Sequence, residues 1–259
     1  MKRVLLQMEG PIAELILNRP ESGNAIDLEL ARELMHTLQA CERRSDLRAI
    51  VLTGAGRLFC AGGDLKAIHA QGDDAPTYVG ELLSHLHECI SIIARIPAPV
   101  IAAINGTAAG AGFALACACD LLLAARSARF VMAYTRVGLT PDGSSTWYLP
   151  RLVGLHRALA LTLLNDEVSA ETLKSWGVVL DVVEDESLER EVLSLARRLA
   201  RGAPHASAAA KRLLRSSSGN SLGAQMISEA ETLCLALPGD EARAGLESFQ
   251  NRSSNDGVD

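Results

Sequence analysis

Two glycine-rich segments constrain the fold of this chain most, because each lies between a strand-like run and a helix-like run. They are Phe59–Leu65 (FCAGGDL) and Ile104–Gly112 (INGTAAGAG). The first amides of a helix have no acceptor within that helix, and small residues let a ligand approach the backbone closely. For either turn alone, a tight loop with a helix cap is the simpler interpretation. The pair favours a second hypothesis, in which two amides converge to hold negative charge that develops on an oxygen atom.

A pattern of strand, turn and helix recurs several times up to about residue 180. Gly10-Pro11 lies between two alternating runs and predicts a hairpin, and Asp27 is placed to cap an amphipathic helix that extends to about Cys41. The predicted strands are Val4–Met8, Ala13–Leu17, Ala49–Thr53, Leu58–Ala61, Pro99–Ile104, Leu121–Ala125, Arg129–Met132 and Val178–Val183, with a second long helix at Thr77–Arg95. This order predicts an α/β fold of stacked β-β-α units rather than a doubly wound sheet.

The C-terminal part of the chain changes character and predicts helices only. Amphipathic runs cover approximately residues 186–201, 204–214, 221–237 and 241–250. Helices that follow a compact domain need a surface to pack against, so we expect them to form an oligomer contact or a lid over the active site. We therefore divide the chain into a core domain, residues 1–200, and a helical region, residues 201–259.

Composition excludes several classes of protein. The 31 acidic and 25 basic residues give a formal charge of −6 without any basic block, which argues against nucleic-acid binding. The uncharged stretch 96–119 is long enough to span a membrane, but two prolines and several glycines interrupt it. The six cysteines form no CxxC pair, so we expect no metal site. The N-terminus does not resemble a signal peptide, and we expect a cytoplasmic protein.

Two common enzyme motifs are incomplete. Gly54-Ala55-Gly56 and Gly110-Ala111-Gly112 lack the third glycine of a dinucleotide-binding fingerprint. Asp142-Gly143-Ser144-Ser145 is not the serine elbow of a hydrolase. The sequence therefore argues against NAD binding and against a serine nucleophile.

Several longer motifs together resemble the crotonase (enoyl-CoA hydratase/isomerase) family over almost the whole chain. These are Asn18-Arg19-Pro20, Asn24-Ala25, Phe59–Leu65, Ile104–Asp120, Gly138–Gly143 and Leu149–Gly154. The last two resemble most the epoxyphenylacetyl-CoA isomerase and Δ3,Δ2-enoyl-CoA isomerase branches. The resemblance implies a spiral of repeated β-β-α units with a C-terminal helical region, and an acyl-CoA thioester as the substrate.

The resemblance also implies a site. The thioester oxygen would bind the amides of Gly63 and Ala111, where alanine replaces the usual glycine. Residues expected to line the channel for the substrate are Ala25, Ala61, Asp64, Leu65 and Gly110, with Lys66 as an exposed partner for a CoA phosphate. For Asp64, a helix N-cap is an alternative role, and the two roles are compatible.

The departures from the family pattern concern the acid and base. The two glutamates that activate water in family hydratases correspond to Ala114 and Tyr134, which disfavours ordinary hydration. A carboxylate is present instead at Asp142, where the isomerases and the haloaryl-CoA dehalogenases of the family carry a catalytic acid; its alternative role is that of an ordinary turn residue. Tyr134 is either a hydrogen-bond donor or a space-filling side chain. His87 matches the histidine base of the dehalogenases, or is a solvent-facing helix residue.

The leading hypothesis is an isomerase of unsaturated or ring-derived acyl-CoA, with Asp142 as the proton shuttle. A hydratase, a hydrolytic dehalogenase or thioesterase, and a non-catalytic acyl-CoA-binding protein remain alternatives. Coenzyme A arrives as part of the substrate, and no metal or redox cofactor is implied. By family analogy we expect a homotrimer or a hexamer of two trimers. The acyl pocket is expected to involve the loop Ala70–Val79 and the C-terminal helices.

Overall fold

The computed structural model describes the backbone of residues 2–255 and the side chains of residues 2–251. The chain divides into two compact units, Met1–Ala200 and Arg201–Asp259.

A six-stranded sheet forms the centre of the first unit. Its strands, in the order in which they lie side by side, are β1 (Val4–Glu9), β2 (Ile12–Leu17), β3 (Ala49–Gly54), β4 (Val100–Ile104), β6 (Leu121–Ala125) and β9 (Asp181–Val183). Strand β1 is antiparallel to β2 across the predicted hairpin, and every other pairing is parallel. Strands β3 and β4 are buried along almost their whole length, as expected for parallel strands that are covered on both faces.

A small second sheet lies beside the second glycine-rich turn. It contains β5 (Ala108–Ala109), β7 (Arg129–Val131) and β8 (Val168–Ser169). Strand β5 is parallel to β7, which in turn is antiparallel to β8. The mixed α/β architecture confirms the predicted fold class.

Several α-helices accompany the large sheet in the first unit. They are α1 (Leu28–Glu42), α2 (Leu65–His69), α3 (Ala75–Arg95), α4 (Ala111–Ala118), α5 (Ser145–Val153), α6 (Leu155–Leu164), α7 (Ala170–Ser175) and α8 (Leu188–Ala200). As predicted, Asp27 caps α1, since its carboxylate accepts a hydrogen bond from the Leu30 amide at 2.8 Å. Helix α1 packs against α3, and α3 ends before Pro97, which cannot continue a helix.

One predicted strand is wrong, and the reason is a side chain. Residues 58–61 form no strand; only Cys60 makes an isolated bridge, to Ala108. The side-chain amide of Asn24 donates to the carbonyl oxygens of Leu58 (2.8 Å) and Phe59 (3.3 Å), which are the acceptors that a strand would offer to a neighbour.

Up to residue 255, the second unit contains three α-helices: α9 (Pro204–Ser216), α10 (Leu222–Ala236) and α11 (Asp240–Asn255). The Glu241 carboxylate accepts from the amides of His205 (3.1 Å) and Ala206 (3.2 Å), so α11 supplies the acceptor for the first turn of α9. Large apolar side chains of this unit are exposed, among them Leu222, Leu235 and Phe249. None of the helices in the described part of the chain is both long and apolar enough to cross a bilayer.

Candidate active site

A cavity of about 340 Å³ lies within the first unit, between the two glycine-rich turns, helix α3 and residues 133–142. Its wall is mostly apolar. The backbone contributes Gly63 from the first turn and Ala111 from the second, and Asp142 contributes a carboxylate. Both predicted amide donors and the predicted acid therefore border one space.

The first turn leaves the amide of Gly63 free because the groups on either side of it are paired. The Ile26 amide donates to the Gly62 carbonyl at 2.7 Å, and the Asp64 amide donates to the Ile26 carbonyl at 2.9 Å. In such a parallel bridge the N–H of Gly63 points away from Ile26. Among residues 2–255 it has no acceptor, so it is available to a ligand in the cavity.

The second amide belongs to Ala111, the first residue of α4. An amide at this position has no acceptor within the helix, and the helix dipole adds positive potential there. Gly110 precedes it with φ +50° and is itself held by a hydrogen bond from its amide to the Val131 carbonyl at 2.9 Å. The site tolerates alanine at position 111 because the ligand would need only the backbone N–H.

Gly62 is the point at which the two turns meet. A Cβ atom added there would lie 2.9 Å from the Ala109 carbonyl oxygen and 3.6 Å from the Ala111 nitrogen, and its φ is +98°. Two backbone hydrogen bonds also join the turns. The Cys60 amide donates to the Thr107 carbonyl (3.2 Å), and the Ala109 amide donates to the Cys60 carbonyl (2.8 Å). These contacts fix the spacing of the two free amides.

Asp142 is held through its main chain just before helix α5. Its carbonyl oxygen accepts from the Ser145 hydroxyl (2.8 Å), the Ser145 amide (3.2 Å) and the Tyr134 hydroxyl (3.4 Å). The carboxylate takes part in none of these bonds, and Asp142 is one of the residues that line the cavity. Its two oxygens lie 3.1 and 3.3 Å from Nε2 of His87 on α3.

Tyr134 lines the same wall in its neutral form. Burial, reinforced by the nearby Asp142 carboxylate, raises the pKa of the Tyr134 phenol above its ordinary value. The residue before it, Ala133, has a positive φ of 58°, which is uncommon outside glycine and directs the tyrosine inward at a cost in backbone strain. The phenol can therefore donate a hydrogen bond over the physiological pH range.

Position 114, which the family resemblance matches to a glutamate of hydratases, is filled by Ala114 without an empty space beside it. It is buried, and a Cβ atom added to Gly143 would lie 3.2 Å from the Cβ of Ala114. The turn that carries Asp142 thus occupies the space next to position 114.

The remaining predicted site residues divide into two groups. Ala61, Leu65 and Gly110 line the cavity, whereas Ala25, Asp64 and Lys66 do not. Asp64 caps α2 by accepting from the Ala67 amide at 3.0 Å and pairs with Arg19 at 3.0 Å. Burial opposes the charge of Asp64, but these two partners lower its pKa below the ordinary value.

Sequence reasoning missed most of the apolar wall. Leu82 and Leu86 of α3 face the cavity together with Val137 and Leu139. The spacing of Leu82 and Leu86 was visible as an apolar helix stripe, but such a stripe indicates core packing equally well. Arg136 also lines the cavity, and its guanidinium donates to the Asn165 carbonyl at 2.7 Å.

Comparison with known proteins places this geometry in context. The sequence profile described as "Enoyl-CoA hydratase/isomerase" matches residues 7–256. A 1,2-epoxyphenylacetyl-CoA isomerase of Escherichia coli is 38% identical over 98% of this chain and 97% of its own length. A 4-chlorobenzoyl coenzyme A dehalogenase of Arthrobacter is 34% identical over 82% of this chain and 77% of its own length.

The fold agrees with these similarities. The crystal structure of an enoyl-CoA hydratase from Polaromonas superposes with a TM-score of 0.92 at 36% identity, covering 96% of this chain and 97% of the other. The relatives thus include an isomerase, a hydratase and a dehalogenase, and the name of each refers to a CoA thioester. The chain belongs to the enoyl-CoA hydratase/isomerase family of the crotonase superfamily.

Proposed function

We propose that this enzyme is an enoyl-CoA isomerase in which Asp142 moves a proton along the acyl chain. The observation that carries the proposal is the content of the cavity wall: among its described lining residues, Asp142 is the only carboxylate. The hydration mechanism that the family resemblance implies uses two carboxylates to position and activate a water molecule. A double-bond shift requires only a single group that first accepts a proton and then delivers one.

The proposed reaction starts with a 3-enoyl-CoA whose thioester oxygen accepts hydrogen bonds from the amides of Gly63 and Ala111. The Asp142 carboxylate removes a proton from the carbon next to the thioester. Negative charge then moves onto the thioester oxygen, where the two amides stabilise the dienolate. The Asp142 carboxylic acid delivers a proton two carbons further along, which gives the conjugated 2-enoyl-CoA. This sequence consumes no water, metal ion or redox cofactor, and coenzyme A enters as part of the substrate.

The apolar wall favours this reaction over water addition. Leu82, Leu86 and Leu139 would surround the acyl chain and exclude water from the dienolate, which strengthens the hydrogen bonds to its oxygen. Neutral Tyr134 would hold the Asp142 main chain while its ring packs beside the thioester.

The test is the conversion of a 3-enoyl-CoA to the conjugated isomer, followed by absorbance. Asp142→Asn should lower turnover by about 10²- to 10⁴-fold, the usual contribution of a general acid or base. Asp46→Asn is the matched control, because that carboxylate is exposed and pairs only with Arg44 among the described residues. Unchanged turnover in Asp142→Asn, or faster hydration of crotonyl-CoA than isomerisation by the wild type, would refute the proposal.

A second candidate, hydrolytic dehalogenation, is favoured by the contact between His87 and Asp142. In that reaction Asp142 would attack the ring carbon that carries the halide and release the halide ion. His87 would then deprotonate the water that hydrolyses the resulting ester. Release of chloride from 4-chlorobenzoyl-CoA, with an aryl-enzyme trapped on Asp142 and detected by mass spectrometry, would support this alternative.

We also propose a homotrimer, or a hexamer of two trimers, as the working assembly. Exposed leucines in the second unit and a stripe of Leu155, Leu159 and Leu163 along α6 support it, since apolar side chains at this spacing are typical of a covered helix face. Native mass spectrometry gives the subunit number. A monomer at micromolar concentration would contradict this proposal.

A further inference from the structure

The Asp142 carboxylate separates two environments. On one side it borders the apolar cavity. On the other it faces Nε2 of His87, a residue that is not part of the cavity lining and whose side chain is 53% exposed, against 30% for Asp142. A proton on this carboxylate can thus be passed inward to the acyl chain or outward to the imidazole.

We infer that His87 is the proton exit of the site, through which the proton held by Asp142 exchanges with solvent. The inference rests on the proposed isomerase function. It adds that the proton taken up by Asp142 can exchange with solvent before it is delivered to the acyl chain. His87 acts through Asp142 and does not border the acyl chain.

The described hydrogen bonds of the carboxylate offer one side-chain route towards the protein surface. Nε2 of His87 lies 3.1 Å from one carboxylate oxygen and 3.3 Å from the other, at or close to the distance required for proton transfer. Among residues 2–251 no other side chain makes a hydrogen bond to this carboxylate. Tyr134 binds the main-chain carbonyl of Asp142 and not its carboxylate, so the phenol is not an alternative exit.

The exchange step balances in charge and protons. After Asp142 has taken a proton from the acyl chain, it is a neutral carboxylic acid, which can donate to Nε2 of the neutral imidazole in the tautomer that carries its proton on Nδ1. Transfer of the proton to Nε2 regenerates the carboxylate and produces an imidazolium ion, which exchanges N–H protons with water. The reverse transfer returns a solvent-derived proton to Asp142, which delivers it to the dienolate. An imidazole ring suits this role because one ring nitrogen can accept a proton while the other can release one.

A purely orienting role for His87 makes a different prediction. If the imidazole only held the carboxylate in place, its removal would alter the rate but not the origin of the proton found in the product. The ratio of retained to solvent-derived hydrogen is therefore the decisive measurement.

The experiment uses an unlabelled 3-enoyl-CoA in deuterium oxide with the full chain. Deuterium in the product and in recovered substrate is measured by mass spectrometry at low conversion. We expect wild-type product to carry solvent deuterium. In His87→Gln the deuterium content of the product should fall several-fold relative to the wild type at equal conversion. His85→Gln, two positions along the same helix, should match the wild type.

Two results would overturn the inference. One is equal deuterium content in the products of wild type and His87→Gln. The other is wild-type product that has retained all of its original hydrogen. A wild type that does not isomerise the substrate at all would refute the proposed function itself, and with it this inference, so the two failures are distinguishable. Circular dichroism of His87→Gln establishes that the exposed substitution leaves the fold intact.

Discussion

The guanidinium of Arg19 lies 3.0 Å from the carboxylate of Asp64, the residue that follows Gly63 in the chain. The same guanidinium lies 3.3 Å from the Asp27 carboxylate and donates to the Ala25 carbonyl at 2.6 Å. Asp27 caps α1 and Asp64 caps α2, so one buried cation joins the beginnings of two helices. This network fixes the backbone from which one of the two proposed oxyanion donors projects.

We predict that Arg19→Gln destabilises the enzyme by about 3 kcal/mol, because two largely buried carboxylates lose their shared counter-charge. Urea unfolding measures the change in free energy. Arg44→Gln is the control, since the Arg44–Asp46 pair is exposed on the surface, and its removal should leave the unfolding midpoint unchanged. An equal, small effect of both substitutions would show that the buried network contributes no more than a surface pair.

Asp64→Asn tests the charge of the cap separately from its hydrogen bond, because asparagine caps a helix as well as aspartate. The folded-state pKa of Asp64 is lowered, so its charge stabilises the fold above the ordinary aspartate value of 3.8. That stabilisation is lost as the pH falls through the lowered folded-state pKa. We expect the variant to be less stable at pH 7 and to approach wild-type stability in acid. A difference that stays constant with pH would contradict the assigned role.

Gly62→Ala should separate the two turns. The new methyl group would lie 2.9 Å from the Ala109 carbonyl oxygen, at a φ that alanine avoids. We expect a stability loss of about 2 kcal/mol and a fall in turnover of about 100-fold, because the two amides would no longer share one target. The control is Gly80→Ala in the exposed part of α3, where nothing lies within 4 Å of the added Cβ. That change should stabilise the protein by up to about 1 kcal/mol and leave turnover unchanged.

Much of this architecture follows from local sequence signals. Residues close together in the sequence predict three features: the hairpin around Gly10, the cap at Asp27 and the two glycine-rich turns. Each is present in the structure. The free amide at the start of α4 also follows from local position, because every helix leaves its first amides without internal acceptors.

The remaining features depend on contacts between distant segments. The Gly63 amide is free only because Ile26 pairs with both neighbours of that glycine, and no local spacing indicates this pairing. The strand predicted at residues 58–61 is absent because Asn24, remote in sequence, takes two of its carbonyl groups. The contact between His87 and Asp142 likewise joins a helix to a turn that only the tertiary fold brings together.

Ala114→Glu should not convert the enzyme into a hydratase, although it restores a glutamate at the position that family hydratases use. The position is buried against Gly143, so the longer side chain must displace the turn that carries Asp142. We expect lower thermal stability, loss of isomerisation and no gain in water addition to crotonyl-CoA. A stable variant that hydrates crotonyl-CoA would contradict this prediction, because it would show that the turn carrying Asp142 can shift to make room for the glutamate.

Tyr134→Phe distinguishes a hydrogen-bond donor from a side chain that only fills space. The phenol donates to the Asp142 carbonyl at 3.4 Å, and its pKa is raised, so wild-type Tyr134 stays neutral beyond the pH at which an ordinary tyrosine ionises. Removing the hydroxyl should lower kcat by up to about tenfold, the value of one hydrogen bond, with KM nearly unchanged because the ring remains. The alkaline limb of the pH–rate profile should be the same in both proteins, since the phenol of the wild type does not titrate there. Steady-state kinetics across the pH range measure both quantities. An unchanged kcat would assign Tyr134 a packing role, whereas an alkaline limb that disappears in the variant would mean that the tyrosine ionises during the reaction.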